Sequence, residues 1–149
     1  MIELNIIERE DIPAAWLEQF KAYASIADNA QDSLLSVILT KAVLSVQQKA
    51  NKSLIACAFQ LREDEVENDT VRLYQTVSQV MSVRGKAAEI YWEPRGHSLR
   101  VYSDSVEVTY KTEPRSGDID ELLPVVYQYA TALYDGEDKK TLANILATC

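Results

Sequence analysis

The sequence predicts an α+β fold with an N-terminal helical hairpin, central antiparallel β-strands and a C-terminal helix packed with the hairpin. Three observations support this prediction. Apolar residues recur at helical spacing near the start of the chain and again near its end. Between these regions, short runs rich in β-branched residues are separated by turns that contain Gly or Pro. Strands and helices that are segregated along a chain in this way are typical of the α+β class.

The longest apolar stretch runs from Gln31 to Ala50 and predicts a helix. Its apolar positions are Leu34, Leu35, Val37, Ile38, Leu39, Ala42, Val43, Leu44 and Val46. At about 100° per residue they cover roughly 260° of the helix surface, whereas an ordinary surface helix has an apolar stripe of roughly 100°. Its polar stripe holds Ser33, Ser36, Thr40 and Gln47, with Lys41, Ser45 and Gln48 nearby. We therefore expect this helix to need neighbours on several sides, supplied by its own chain or by a second copy.

An earlier helix is predicted to begin at Asp11-Ile12-Pro13, with Asp11 near the cap and Pro13 where its missing N–H costs nothing. It carries a large apolar face formed by Trp16, Leu17, Phe20 and Tyr23. The link at residues 25–30 is short and turn-forming, which favours an antiparallel helical hairpin.

The ends of the long helix carry residues that suit helix termini. Asp32 or Asn29 is expected to cap its start, because a short polar side chain accepts a hydrogen bond from a free backbone N–H there. Asn51 is expected to end it.

The segments outside the helices are predicted as strands and turns. Residues 1–11 alternate weakly and leave an edge strand and an arm both open. Ser53–Leu61 is apolar on both sides, so a helix remains an alternative to the strand we prefer. The further predicted strands are Val71–Tyr74, Val77–Val83, Ala88–Trp92, Leu99–Tyr102 and Val106–Lys111. Turns at residues 84–86 and 94–96 separate them, and the second turn predicts a hairpin.

The last of these strands has the clearest pattern. Val106, Val108 and Tyr110 alternate with three polar residues, so one face of the strand is predicted to be buried and the other to face solvent.

The C-terminal region predicts a helix and a short apolar stub. Asp118 and Glu121 have capping-box spacing, and Pro124 is expected in the first turn of the helix, which makes residues 119–123 a separate turn. The predicted apolar face consists of Val125, Val126, Tyr129, Ala132 and Leu133. Gly136 is expected as the cap, and Leu142, Ile145 and Leu146 form the stub.

Composition bounds the class of protein. A chain of 149 residues, 47% hydrophobic and 26% charged, suits a single domain over residues 1–149. No apolar run is long enough for a membrane span, and the N-terminus lacks the pattern of a signal peptide, so we expect a soluble intracellular protein. The net charge of -8 disfavours a protein that grips nucleic acid, yet it suits a wall that DNA slides past, because acidic side chains repel phosphates.

Residues that could carry chemistry are few, and each has a simpler explanation. His97 is the only histidine and lies in a predicted turn. Cys57 and Cys149 have no metal-binding spacing, and Cys57 is expected in the core. The acidic loop at residues 62–70 lacks the pattern of a calcium site. Carboxylate pairs such as Glu63 with Glu65, or Asp118 with Asp120, suit solvated faces. We therefore expect no enzyme, cofactor or metal, and no catalytic or binding residues of those kinds.

The aromatic residues are mostly amphipathic, with eight Tyr and two Trp against two Phe. Tyr127, Tyr129 and Tyr134 on the last helix are candidate interface residues, although Tyr129 is expected in the core. A helix-turn-helix DNA reader is disfavoured for the first hairpin, because its second helix carries Leu and Val where base-reading polar residues belong.

The order of the segments resembles that of the head-tail connector proteins, also called head-completion or adaptor proteins, of tailed bacteriophages and prophages. The similar segments are Tyr23–Leu35 (YASIADNAQDSLL), Thr40–Val46 (TKAVLSV), Val77–Val83 (VSQVMSV), Val106–Tyr110 (VEVTY), Leu123–Glu137 (LPVVYQYATALYDGE) and Leu142–Leu146. The last segment lacks the basic and aromatic residues often found at that end of the family.

The resemblance implies a structural virion protein without catalysis. Such a protein forms a ring of roughly a dozen copies under the portal protein, contacts tail or other neck proteins and lets DNA pass through without specific binding. It would occur in the virion and, during assembly, in the bacterial cytoplasm. The alternatives are another small tail-completion or interaction protein and a host protein-binding module. Copies in a ring would also bury the surplus apolar surface of the long helix.

Overall fold

The computed structural model of the protein describes residues 2–149, which form four helices and seven strands. In chain order these are β1 (Ile2–Arg9), α1 (Ala14–Tyr23), α2 (Asp32–Ala50), β2 (Cys57–Glu63), β3 (Thr70–Arg72), β4 (Val77–Arg84), β5 (Trp92–Arg95), β6 (Ser98–Val101), β7 (Val106–Thr112), α3 (Ser116–Tyr134) and α4 (Lys139–Leu146). Residues 2–10 and 55–114 make one compact unit, and residues 11–54 and 115–149 make another. The helices and strands are segregated, which confirms the α+β prediction; the single-domain organisation stays a prediction.

The strand unit contains two antiparallel sheets. The first has four strands in the order β1-β2-β7-β4, and the second has three in the order β3-β6-β5. The predicted alternation of β7 is confirmed, because Val106, Val108 and Tyr110 are buried. The ring of Tyr110 stacks on Phe59 of β2 with 5.5 Å between ring centroids. On the opposite face, Glu107 accepts hydrogen bonds from Gln60 and Arg62, so that face is polar.

The N-terminal segment, left open between a strand and an arm, is an edge strand. β1 pairs antiparallel with β2, with Leu4 opposite Leu61 and Ile6 opposite Phe59. The alternation over residues 2–6 is that of a strand with one face towards the core. Met1 lies outside the described residues.

The predicted strands are present, with shifted ends. β2 begins at Cys57, so residues 53–56 do not belong to it. The predicted strand Ala88–Trp92 is wrong for residues 88–91, where Glu89 makes only an isolated bridge to Arg84. The strand instead is β5 and includes Pro94. Because β5 lies at the edge of its sheet, Pro94 does not remove a hydrogen bond from the sheet interior. Its pairing with β6 confirms the hairpin.

The helical unit confirms the predicted packing of the C-terminal helix with the hairpin. α1 packs against α2 and α3, α2 lies along α3, and α4 packs on α3 and α2. The rings of Phe20 in α1 and Tyr127 in α3 are stacked, with 6.3 Å between their centroids. Within residues 2–149, no helix has both the length and the apolar composition needed to cross a membrane.

The predicted caps of α2 are half correct. Asn51 takes the left-handed conformation at the end of α2, with φ 53°, as expected. At the start, Gln31 occupies the N-cap position, and its side chain makes no capping hydrogen bond. The prediction for Asn29 and Asp32 is wrong, because both side chains bind the Lys21 ammonium instead.

The predicted start of the C-terminal helix is wrong. α3 already begins at Ser116 and passes through Pro124, so residues 119–123 are helical rather than a separate turn. Asp118 and Glu121 form no capping box; their carboxylates lie 3.7 Å and 3.5 Å from the Lys52 ammonium. The apolar face continues through these residues, which favours a continuous helix over the local preference of proline.

The end of α3 is as predicted. Gly136 has φ 73°. Its N–H donates to the carbonyl oxygen of Leu133, and the N–H of Glu137 donates to the carbonyl oxygen of Ala132. This pair of bonds is a Schellman motif, which favours glycine because of the positive φ.

Candidate assembly surfaces

The long helix α2 exposes apolar side chains, as its broad apolar arc predicts. Its buried residues are Leu35, Leu39, Ala42, Val43, Val46 and Gln47. At about 100° per residue these six span roughly 140°, much less than the apolar arc. Leu34 and Val37 lie outside that face and are 51% and 67% exposed. The surplus apolar surface is therefore real in the single chain.

We call the exposed side of α2 the α2 stripe and define it by Leu34, Val37, Lys41, Leu44 and Gln48. These residues follow one another at three- and four-residue spacing, so they lie on one side of the helix. Leu44 is half-buried, and the other four are exposed. A stripe with three apolar residues, one cation and one amide is suited to contact with another protein surface.

Gln47, predicted on the polar stripe, is in fact buried. Its Oε1 accepts a hydrogen bond from the backbone N–H of Leu54 at 2.9 Å, within the same helical unit. The side chain thereby satisfies a donor in the segment that follows the helix.

The three candidate interface tyrosines differ in exposure. Tyr127 and Tyr129 are buried, which confirms the expectation of core packing for Tyr129. Tyr127 donates a hydrogen bond to Oε1 of Gln19 at 2.6 Å, and burial raises the pKa of its hydroxyl. Tyr134 is exposed and donates to Oε1 of Gln31 at 2.7 Å. Of the three, only Tyr134 presents substantial surface to a partner, and Tyr23 on α1 presents more.

A second apolar surface belongs to the strand unit and was not identified from the sequence. Ile2, Ile6 and Ile7 of β1 are 41–54% exposed. Ile6 lies on the same sheet face as buried Phe59, so this face is less covered at β1 than at β2. The alternation Ile2-Glu3-Leu4-Asn5-Ile6 was the available signal, but it did not show that the strand would lie at an edge.

The residues considered for chemistry are scattered. His97 is exposed in the turn between β5 and β6, and Cys57 is buried in β2 as expected. Among residues 2–149, no three His, Cys, Asp or Glu side chains are grouped to hold a metal ion. Partial burial raises the pKa of Glu63, while its predicted partner Glu65 is exposed.

One surface depression of the strand unit carries charges of both signs. It is lined by Glu8, Arg9, Glu10, Ala56, Cys57, Ala58, Lys111, Thr112 and Glu113. It is partly open to solvent, and its charged groups lie at or just beyond the ends of β1 and β7. It does not resemble the deep apolar pocket, with a few convergent polar groups, that small ligands usually occupy.

Comparison with known proteins finds similarity in structure only. No protein-family model and no curated protein matches the chain. A chain of the neck of an empty gene transfer agent (GTA) particle, computed with C6 symmetry, aligns with a TM-score of 0.65 and 18% identity over 89% of this chain and 84% of that chain. A chain of the virion of a native GTA particle aligns with a TM-score of 0.64, the same identity and the same coverage.

A third solved structure covers more of the chain. A chain of the neck of a native GTA particle, computed with C12 symmetry, aligns with a TM-score of 0.60 and 15% identity over 95% of this chain and 94% of that chain. At these identities the comparisons establish a shared fold. That fold extends over nearly the whole length of both chains.

Proposed function

We propose that this protein is a structural neck component of a tailed phage or prophage, forming a ring between the portal protein and the tail. The observation that carries the proposal is the fold shared with GTA neck chains, which extends over 89–95% of this chain. The order of sequence segments, which resembles that of head-tail connector proteins, supports the same assignment without reference to the fold.

The α2 stripe supports assembly through contacts between copies. Val37 and Leu34 expose apolar surface to water in the single chain, which does not stabilise it. Burial of that surface against another copy would favour association by about 0.8 kcal/mol for each methylene group removed from water. In a ring, one surface of each copy contacts a different surface of the next, and the contact closes after a fixed number of copies. The α2 stripe supplies one side of that contact.

The net charge supports passage of DNA without binding. With 23 acidic and 15 basic residues, the chain carries a net charge of -8. A protein that holds DNA neutralises phosphates with clustered Lys and Arg, and a strongly acidic chain does the opposite. Repulsion between the wall and the phosphates would keep DNA moving through the ring.

The proposed function needs no catalytic group, metal or cofactor. The chain would act as a mechanical joint, with the portal protein on one side and tail or other neck proteins on the other. Its place of action would be the virion, reached by assembly in the bacterial cytoplasm.

Deletion of the gene from the phage or prophage that carries it tests the proposal. We expect heads without attached tails in electron micrographs of the lysate, and a loss of infectious or DNA-transferring particles. Expression of the wild-type chain from a plasmid should restore tailed particles. Expression of the Val37→Lys chain should restore few or none, because a charge replaces an apolar contact in the α2 stripe.

The matched control is Ser36→Lys, which places the same charge at an exposed polar position of α2 about 100° around the helix from Val37, outside the stripe. It should restore tailed particles as the wild type does. Normal tailed particles from the deletion strain would overturn the proposal. The deletion strain could instead produce detached tails that are complete, together with heads that carry all the other neck proteins. That result would favour the tail-completion alternative.

A further inference from the structure

The free edge of β1 is unprotected. β1 is eight residues long, and among residues 2–149 it pairs with β2 alone. Every described residue of β1 except Leu4 is exposed, and Leu4 is half-buried. From Ile2 to Ile6 the pairing with β2 is regular, and the first register shift comes after Ile6. An exposed, regular strand of this kind offers a row of backbone N–H and C=O groups to another strand.

The other sheet edges carry features that discourage such pairing. β4 has register shifts after Val77 and after Val80, and its far end is bridged by Glu89. β5 contains Pro94, and β3 has only three residues. Bulges, proline and short length are the usual means by which proteins keep sheet edges from associating. Within the described residues, β1 is the sheet edge where these protections are missing over a regular five-residue run.

The sequence of that run is complementary to itself. When Ile2-Glu3-Leu4-Asn5-Ile6 is placed antiparallel to a second copy with Leu4 opposite Leu4, Ile2 faces Ile6 and Glu3 faces Asn5. Each apolar residue then meets an apolar residue, and each carboxylate meets an amide. We propose that β1 pairs antiparallel with β1 of a second copy in this register, which joins the two four-stranded sheets into one of eight strands.

The charges near the run are compatible with this pairing. No like charges lie directly opposite each other, an arrangement that would destabilise a strand pair. Asn5 Nδ2 already lies 3.2 Å from Glu3 Oε1 of its own strand, so an amide and a carboxylate are compatible neighbours at this surface. Arg62 of β2 pairs in register with Glu3 on the same face. The remaining acids of the strand region, Glu8 and Glu10, lie beyond the paired residues.

This pairing is separate from the ring contact of the proposed function. It has a twofold axis and closes at two copies, whereas a ring needs a head-to-tail contact. The twofold pair forms from free chains in solution. It can therefore be absent while the proposed function holds, or present while the proposed function fails.

Disulfide formation at the symmetry centre tests the proposal. In a Cys149→Ser background, Leu4→Cys places one thiol directly opposite its own copy, where the Cβ atoms of paired residues lie roughly 4.5–5.5 Å apart. Mild oxidation should convert most of this variant to a covalent dimer. The control is Met81→Cys in the same background, which is 49% exposed on the edge strand β4 and should stay monomeric. Buried Cys57 is common to both proteins.

Two substitutions at the exposed Asn5 test the register without touching the core. Asn5→Glu places like charges opposite each other twice in the dimer and should raise its dissociation constant about tenfold, while Asn5→Lys should lower it. Ser78→Glu and Ser78→Lys on β4 control for net charge and should leave the constant unchanged. Sedimentation equilibrium gives the constants. A wild-type chain that stays monomeric at all concentrations, or equal cross-linking of Leu4→Cys and Met81→Cys, would overturn the proposal.

Discussion

The ammonium of Lys21 lies 2.8 Å from Oδ1 of Asp32, with the Lys21 side chain only 5% exposed. Lys21 is in the last turn of α1 and Asp32 is the first residue of α2, so this pair fixes the geometry of the helical hairpin. Asn29 Oδ1 is a second acceptor, 2.6 Å from the same nitrogen. The hydrogen bond to Asp32, the largest contribution, and the charge of the same group raise the pKa of Lys21.

Removal of Asp32 should destabilise the protein more than removal of Lys21. Asp32→Ala leaves a poorly solvated ammonium with only Asn29 as a partner, whereas Lys21→Met replaces the cation with an apolar chain of similar length. Urea denaturation should place the midpoint of Asp32→Ala below that of Lys21→Met. Lys41→Met, at an exposed position of α2, should match the wild type.

The same pair predicts a dependence on pH. Because folding raises the pKa of Lys21 above its ordinary value of 10.5, the pair contributes fully below pH 10.5, and the contribution is lost as the pH rises through the raised pKa. The gap in midpoint between wild type and Asp32→Ala should therefore shrink above that pH. An unchanged gap from pH 7 to pH 12 would contradict this assignment.

Gln47→Leu should lower the free energy of unfolding by about 1–3 kcal/mol, although it replaces a polar side chain with an apolar one inside the protein. The substitution removes the acceptor for the Leu54 N–H, and a buried donor without a partner costs this much. Gln48→Leu is the matched control at the next, exposed position and should change stability by less than about 0.5 kcal/mol. Thermal denaturation followed by circular dichroism measures both. Equal stability of Gln47→Leu and wild type would contradict the role of this hydrogen bond.

Gln47 also illustrates what sequence periodicity conveys and what it omits. Its helical position, four residues after buried Val43, places it on the buried face. Its polar side chain predicts exposure to solvent. Its role as an acceptor depends on Leu54, which the chain places next to Gln47 after α2 has ended. The broad apolar arc of α2 did predict exposed apolar surface, because arc width depends only on residue types and spacing. Partners across a tertiary contact do not leave such a local pattern.

The boundaries of β5 and α3 are hard to predict from the sequence for a similar reason, because each element contains a proline. Pro94 signals a turn in isolation, yet it lies within β5 because the edge of a sheet needs no donor there. Pro124 signals a helix start, yet α3 continues through it with a buried face on both sides of the proline, formed by Leu122 and Val126. In both cases the position of the element in the fold decided the outcome, against the preference of a single residue.

Pro124→Ala should stabilise the protein. Pro124 lies in the interior of α3 and is exposed, so alanine there restores a backbone donor without a new clash. Proline in a helix interior costs about 3 kcal/mol relative to alanine, so a gain of about 1–3 kcal/mol in the free energy of unfolding is expected. Pro13→Ala, which removes the proline before the first residue of α1, is the control and should give no gain. A loss of stability in Pro124→Ala would show that the proline fits its place in the helix better than alanine does.

Tyr110 predicts a loss of stability at high pH. Its side chain is fully buried, and burial raises its pKa to about 12; the N–H of Tyr74 donates to its hydroxyl, which in turn donates to the carbonyl of that residue. Because the unfolded chain ionises near pH 10 and the folded chain near pH 12, stability from the neutral hydroxyl is present below pH 10 and declines above it. The total loss is about 2–3 kcal/mol. In Tyr110→Phe the part of the pH dependence due to this residue should vanish, as measured by urea denaturation between pH 9 and pH 12.

Val37 of the α2 stripe is expected to contribute little to the stability of the single chain and much to its assembly. Because this side chain is 67% exposed in the single chain, Val37→Lys should alter the free energy of unfolding by no more than about 0.5 kcal/mol. If the stripe contacts another copy, the same substitution should abolish assembly into higher oligomers in light scattering at high protein concentration. Ser36→Lys, at an exposed position outside the stripe, should assemble as the wild type does, which separates the loss of apolar contact from the change in net charge. A Val37→Lys chain that unfolds more easily but assembles normally would place Val37 in the fold of the single chain and move the ring contact to another surface.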